Sequence, residues 1–235
     1  GNVIPVAIGL PYGGATNYVT TTGTGSINIT GDGRGTTTTS TSSANGAIYG
    51  VLMNHSYGMV TTVDGNISVT GYGGNAAASA TVASADSDGV YTSGGQIRST
   101  GLGSVTIYGQ GGNIAGTVTG KSANSIGVYS ASWLATTSSN LSVQGLSGSV
   151  SGAAGSQYGF WGAYASMIAS TYNPGALLTT TGNISLVGDT VSVPSGSPNI
   201  YTVGIYSSPT KIKSTSGNIV VTGSACGTCT ANETT

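Results

Sequence analysis

The sequence predicts an all-β chain wound as a right-handed parallel β-helix, a β-solenoid of about six coils with a period of about 35–43 residues. Three observations carry that expectation. One short phrase recurs six times along the chain, apolar and polar residues alternate inside each copy, and the composition is rich in Gly, Thr, Ser, Val, Ile and Tyr but poor in ions.

The phrase is Gly25-Ser-Ile-Asn-Ile-Thr-Gly31, Gly65-Asn-Ile-Ser-Val-Thr-Gly71, Gly103-Ser-Val-Thr-Ile-Tyr-Gly109, Ser139-Asn-Leu-Ser-Val-Gln-Gly145, Gly182-Asn-Ile-Ser-Leu-Val-Gly188 and Gly217-Asn-Ile-Val-Val-Thr-Gly223. Ile67 and Val69 flank Ser68, and Val105 and Ile107 flank Thr106. A period of two places one face of a strand inside and the other in water.

A second phrase precedes most copies: Ala47-Ile-Tyr49, Gly89-Val-Tyr91, Gly127-Val-Tyr129, Gly159-Phe-Trp161 and Gly204-Ile-Tyr206. A third lies between them, as Gln96-Ile-Arg-Ser-Thr100, Trp133-Leu-Ala-Thr-Thr137, Met167-Ile-Ala-Ser-Thr171 and Lys211-Ile-Lys-Ser-Thr215. A fourth strand is expected after the main phrase, at Ala80–Ser84, Gly116–Gly120, Gly148–Gly152 and Thr190–Val193. Short strands of this kind bury their apolar faces by coiling and stacking on their equivalents. Each period is read as one coil with a long excursion, and two coils of half the length are the competing count. Corner glycines are expected to supply positive φ, and Thr and Ser to face water.

Charged residues make up 5% of the chain, where about 25% is usual. With a net charge of −1 and 37% hydrophobic residues, the composition is that of a folding chain. The five basic residues, Arg34, Arg98, Lys121, Lys211 and Lys213, are too few and scattered to neutralise a run of phosphates, so no nucleic-acid partner is expected. No apolar stretch approaches the roughly 20 residues of a membrane span. Residues 1–235 read as one solenoid domain, a segment of a longer or polymerised protein whose export signal has been removed.

The run Gly204-Ile-Tyr-Ser-Ser followed by Lys211-Ile-Lys-Ser-Thr-Ser-Gly-Asn-Ile-Val-Val-Thr-Gly223 resembles the repeats of large bacterial filamentous-haemagglutinin-like and autotransporter-like surface adhesins. The likeness extends from about Ala7 to Gly223, and its motif is low in complexity. It implies an exported rod that displays binding sites, builds fibres or acts as a stalk. No catalytic set comes with such repeats.

Chemistry-bearing residues are few. His55 is read as a surface-loop residue, because nothing marks a nucleophile and an orienting acid around it. Asp86 and Asp88, the one close carboxylate pair, fall short of the usual calcium ligand count and read as a solvated turn. The carboxylates Asp32, Asp64, Asp86, Asp88, Asp189 and Glu233 would have to share one groove for a polysaccharide lyase or hydrolase. Cys226 and Cys229 read as a short structural disulfide, since zinc would need two more ligands. No metal or cofactor is expected.

Tyr49, Tyr91, Tyr129, Trp161 and Tyr206 follow the buried residue of their strand and should form an outward aromatic ladder. Its roles are stacking between coils, or a stripe for a glycan or another subunit. Of the Asn-x-Ser/Thr patterns at Asn28, Asn54, Asn66, Asn140, Asn183 and Asn232, four lie in the main repeat, where repetition alone generates them, and no glycan is claimed. The expected function is structural and adhesive: an extracellular or cell-surface fibre, stalk or filament assembled by end-to-end or lateral self-association, contacting glycans or a host or neighbouring cell surface. The alternative is a carbohydrate-binding module using the ladder, with a polysaccharide-cleaving enzyme behind it. An ice-binding face ranks below both, because the Thr positions are irregular between coils.

Overall fold

The computed structural model describes residues 6–10, 18–39, 46–54, 58–78, 84–116, 122–151, 155–163, 176–193, 200–208 and 211–225. Every regular element among them is a strand, and each paired strand runs parallel to its partners. A partial turn holds β1 (Val6–Leu10) and β2 (Tyr18–Thr20). The first complete turn is β3 (Ile27–Asp32), β4 (Thr37–Thr39), β5 (Gly46–Asn54) and β6 (Met59–Thr62). The second is β7 (Ile67–Tyr72), β8 (Asn75–Ala78) and the long β9 (Ser84–Ser99), and the third is β10 (Val105–Gln110), β11 (Ile114–Gly116) and β12 (Ser122–Thr136). The fourth is β13 (Leu141–Leu146), β14 (Val150–Ser151), β15 (Gly155–Ala163) and β16 (Ala176–Thr179). Then come β17 (Ile184–Asp189), β18 (Ile200–Ser208), β19 (Lys211–Ser214) and β20 (Ile219–Ser224). About four turns carry every face, fewer than the six phrases suggest, because the last two phrases, on β17 and β20, sit on incomplete turns.

Equivalent positions of successive phrases lie directly over one another: Ile27, Ile67, Val105, Leu141, Ile184 and Ile219 form one file. One period is therefore one coil, and the half-length alternative falls. The main-phrase strands stack as β3, β7, β10, β13, β17 and β20, while β4, β8, β11 and β14 form a shorter sheet. In the second and third turns that sheet begins sooner after the main phrase than expected. Ile114 is in register with Ala76 and Val150, and Thr190–Val193 is not a strand. The expected segment Gly148–Gly152 holds β14, while residues 80–83 and 117–120 lie outside the described residues. In the fourth turn, Ala176-Leu-Leu-Thr179 fills the place expected for Met167–Thr171, which lies outside the described residues, because buried Leu177 continues the inward file.

Two cores result. The larger holds the inward residues of the main phrases with Val51, Val90, Val128, Phe160, Ile97, Leu134 and Leu177. The smaller holds Ile48, Ala76, Ala85, Ile114, Ala123 and Val150. Between them two files of glycine meet backbone to backbone. A β-carbon on Gly71 would stand 2.1 Å from the Gly89 carbonyl oxygen, and one on Gly50 would stand 2.3 Å from the Tyr72 nitrogen. Close approach, more than positive φ, is what these glycines serve: among the described residues only Gly94 and Gly95 have positive φ.

Hydroxyls line the interior as well as the surface, contrary to the expectation that they face water. Ser87 Oγ donates to the Gly74 carbonyl (2.6 Å) and accepts from the Gly112 N–H (3.0 Å). Ser125 repeats the arrangement one turn on, with Gly112 and Gly148. Thr62, Ser99, Thr179 and Ser214 bond backbone carbonyls at the turn into the main phrase. These bonds satisfy backbone groups that buried corners would otherwise orphan.

A second ladder runs outside. Asn66 Oδ1 accepts the Ser104 N–H (2.9 Å), Asn140 Oδ1 that of Asn183 (3.0 Å), and Asn183 Oδ1 that of Asn218 (2.8 Å). The recurrent Asn is thus a clamp between turns. On β20, Ile219, Val220 and Val221 remain 45%, 55% and 51% exposed.

Candidate functional site

The aromatic residues lie on the strand that crosses the glycine waist. Gly50, Gly89, Gly127, Gly159 and Gly204 hold the waist, so the second residue after each points outward. That file is Leu52, Tyr91, Tyr129, Trp161 and Tyr206. Four of the five expected ladder residues are therefore in register. Tyr49 is not: it pairs with Asp88 and belongs to the neighbouring file of Tyr49, Asp88, Ile126, Tyr158 and Val203. The cause is steric, because only Gly50 has no side chain to strike the main-phrase strand, and this puts Val51 opposite Val90.

The Tyr49 ring nevertheless reaches the ladder, packing edge-on to Tyr91 at 5.2 Å between centroids. Tyr91 and Tyr129 stack in parallel at 4.5 Å and 5°. Tyr129 meets Trp161 at 5.6 Å, and Trp161 meets Tyr206 at 5.7 Å, both edge to face. Tyr158, which the sequence reading missed, packs 4.6 Å from Trp161 and contacts Tyr201 and Tyr206. Its signal was its place directly before a waist glycine. Each such ring pair contributes about 0.5–1.5 kcal/mol beyond burial. The rings pack on one another along the axis, so the ladder works first as a tie between turns.

Asp88 lies under these rings. The expectation of a solvated turn for Asp86 and Asp88 is overturned: both belong to β9, where Ala85 and Ser87 face in and the two aspartates alternate with them. Asp88 is 2% exposed, and its Oδ1 is buried with no hydrogen-bond donor in reach. Burial, and then the neighbouring Asp86, hold its carboxyl well above the usual range. Asp86 Oδ1 accepts from Asn124 Nδ2 (2.9 Å), and burial outweighs that bond and raises Asp86 too. The phenols respond in kind. Burial, with the ring of Tyr129 and Asp88 adding to it, pushes Tyr91 up to about 12, and burial followed by Asp88 raises Tyr49 and Tyr129.

The other carboxylates do not join this pair. Asp32 pairs with Arg34 (2.6 Å), whose guanidinium lies 4.0 Å from the Tyr72 ring centroid, and the arginine's hydrogen bonds hold Asp32 at about 2. Tyr72 in turn meets Tyr108 at 5.9 Å, a second ring pair that the sequence reading missed. Asp189 occupies the same file as Asp32 four turns on, about 19 Å along the axis. Asp64 accepts the Leu102 N–H at a turn. Among the described residues no three His, Cys, Asp or Glu side chains gather as a metal site. His55, Glu233, Cys226 and Cys229 lie outside the described residues. Compared with known proteins, the chain matches no family model, no curated protein and no solved structure.

Proposed function

We propose that this chain is a segment of an extracellular or cell-surface rod, a fibre or stalk of the filamentous-haemagglutinin-like kind, in which solenoid turns continue from one copy into the next. The single observation that carries the reading is the state of β20. Among the described residues its backbone pairs with β17 alone, while the inward Ile219 and Val221 stay half exposed where their equivalents on β7, β10, β13 and β17 are buried. An uncovered strand edge with an apolar file is a template for a further parallel strand, and a head-to-tail contact that does not close builds a filament. The hydroxyl-rich surface with few ions, the repeat phrase and its resemblance support the exported setting.

Electron microscopy and sedimentation of the purified chain test the reading. Threads one solenoid wide, lengthening as concentration rises, are the expected result. Single solenoids at every concentration would overturn it.

A further inference from the structure

We propose a second site, distinct from the aromatic ladder and from the open edge: a groove for a linear acidic oligosaccharide, running along the solenoid axis over β9, β12, β16 and β19. The groove encloses about 270 Å³ and is lined by Arg98, Trp133, Thr137, Thr180 and Lys213 among others, with no carboxylate among its described lining residues.

Register explains how it forms. Arg98, Ala135, Leu178 and Lys213 occupy one file on four successive turns, so the two cations mark its ends with about 14 Å of axis between them. The exposed residues Thr100, Thr137, Thr180 and Thr215 line the groove beside that file.

Among the described residues neither cation has a carboxylate partner. The one salt bridge among the described residues is Arg34 with Asp32, on a different sheet. The Arg98 guanidinium lies 5.5 Å from the Trp133 ring centroid, and its Nε is buried without an acceptor in reach. Arg98 as a whole is half-buried, so an anion in the groove can pair with its guanidinium, whose charge no described carboxylate offsets.

The spacing selects the ligand. A single small anion would engage one end only, whereas two separated cations match a chain carrying charges at intervals. The Thr hydroxyls between them match sugar hydroxyls as donors and acceptors. Half-buried Trp133 supplies the apolar wall that pyranose rings pack on. Two cations are far too few for a nucleic-acid backbone. The recognised chemistry is therefore a saccharide chain bearing carboxylates or sulfates.

Titration calorimetry on the whole chain, with oligogalacturonate, sulfated dextran oligomers and neutral dextran oligomers of matched length, tests this. Acidic oligomers should bind, weakening as salt rises, and neutral ones should not. A response to the carboxylated probe alone, or to the sulfated one alone, supports the site and identifies the acid. Arg98→Ala and Lys213→Ala should each lower affinity about tenfold, the loss of one charge-assisted bond. Arg34→Ala removes a cation that lies away from the groove, paired with Asp32, and should change affinity by less than about twofold. If Arg98→Ala fails to fold, Arg98→Lys keeps the charge without the planar fork and should still weaken binding. The inference is overturned if acidic oligomers bind no better than neutral ones, or if Arg34→Ala costs as much as Lys213→Ala.

Discussion

Asp88 is the residue at which local chemistry and global packing conflict most. Its position in β9 turns it outward, yet the rings of Tyr49, Tyr91 and Tyr129 crowd round it, and burial raises its carboxyl well above the usual range. The sign follows from linkage. A carboxyl raised in the folded state contributes its stability in full below the unfolded value, near 3.8, and that contribution is lost as pH rises through the folded value. Asp88→Asn removes the ionisation without changing shape. It should raise Tm at neutral pH by about 2–4 °C, the shift that about 1 kcal/mol makes in a chain of this size, and it should flatten the pH profile on the alkaline side. Thermal melts across pH check this, and a variant as pH-dependent as the parent would show that Asp88 is not the titrating group. The aspartate pair was misread because Asp-Ser-Asp-Gly has turn composition. The alternation of Ala85 and Ser87 with it, which marks a strand, was present in the same six residues.

At the scale of the element, the main-phrase strands were fully legible, because in them period-two alternation and the flanking glycines agree. The aromatic strand was legible except in its first copy. Ala47-Ile-Tyr49 and Gly50-Val-Leu52 compete for the same place, and similarity to the other copies favoured the first because it ends in Tyr. The structure chooses the second because the waist tolerates no β-carbon, so a rule that only Gly fits there would have decided it from sequence. The third phrase of the fourth turn was illegible for a different reason: as a string Met167–Thr171 resembles the other copies, and only the register shows that Leu177 holds the file position. The Asn clamp makes an element-scale prediction. Asn183 Oδ1 holds the Asn218 N–H, so Asn183→Ala should cost about 1 kcal/mol, seen as about 2–4 °C in Tm. Asn183→Ser should cost less, since Ser26 Oγ already accepts the Asn66 N–H at the same file position (3.2 Å). Equal losses for the two substitutions would mean that the side chain packs and does not clamp.

For the whole molecule, the two cores, the glycine waist and the external ladders all repeat along one axis, so stability accrues turn by turn between nearest neighbours. Such an object has strong sides, and its ends are reactive. At β20 the inward Ile219 and Val221 are half exposed, and the outward Val220 replaces the Ser or Thr of the four preceding turns. If a further turn covers this edge in the assembled rod, Ile219 and Val221 enter a dry interior while Val220 stays outside. Lysine at both Ile219 and Val221 is tolerated in a free solenoid, where those positions meet water. Beneath another turn it would bury two unpaired ammonium groups, at a cost on the order of several kcal/mol each. The double variant Ile219→Lys, Val221→Lys should therefore keep the β-sheet spectrum and Tm of the parent yet sediment as a single solenoid. Val220→Lys, with its charge on the outer face, should assemble as the parent does. If the double variant forms threads of parental length, contact between copies does not run through this edge, because an ammonium file cannot be sealed between stacked turns without preventing the stack.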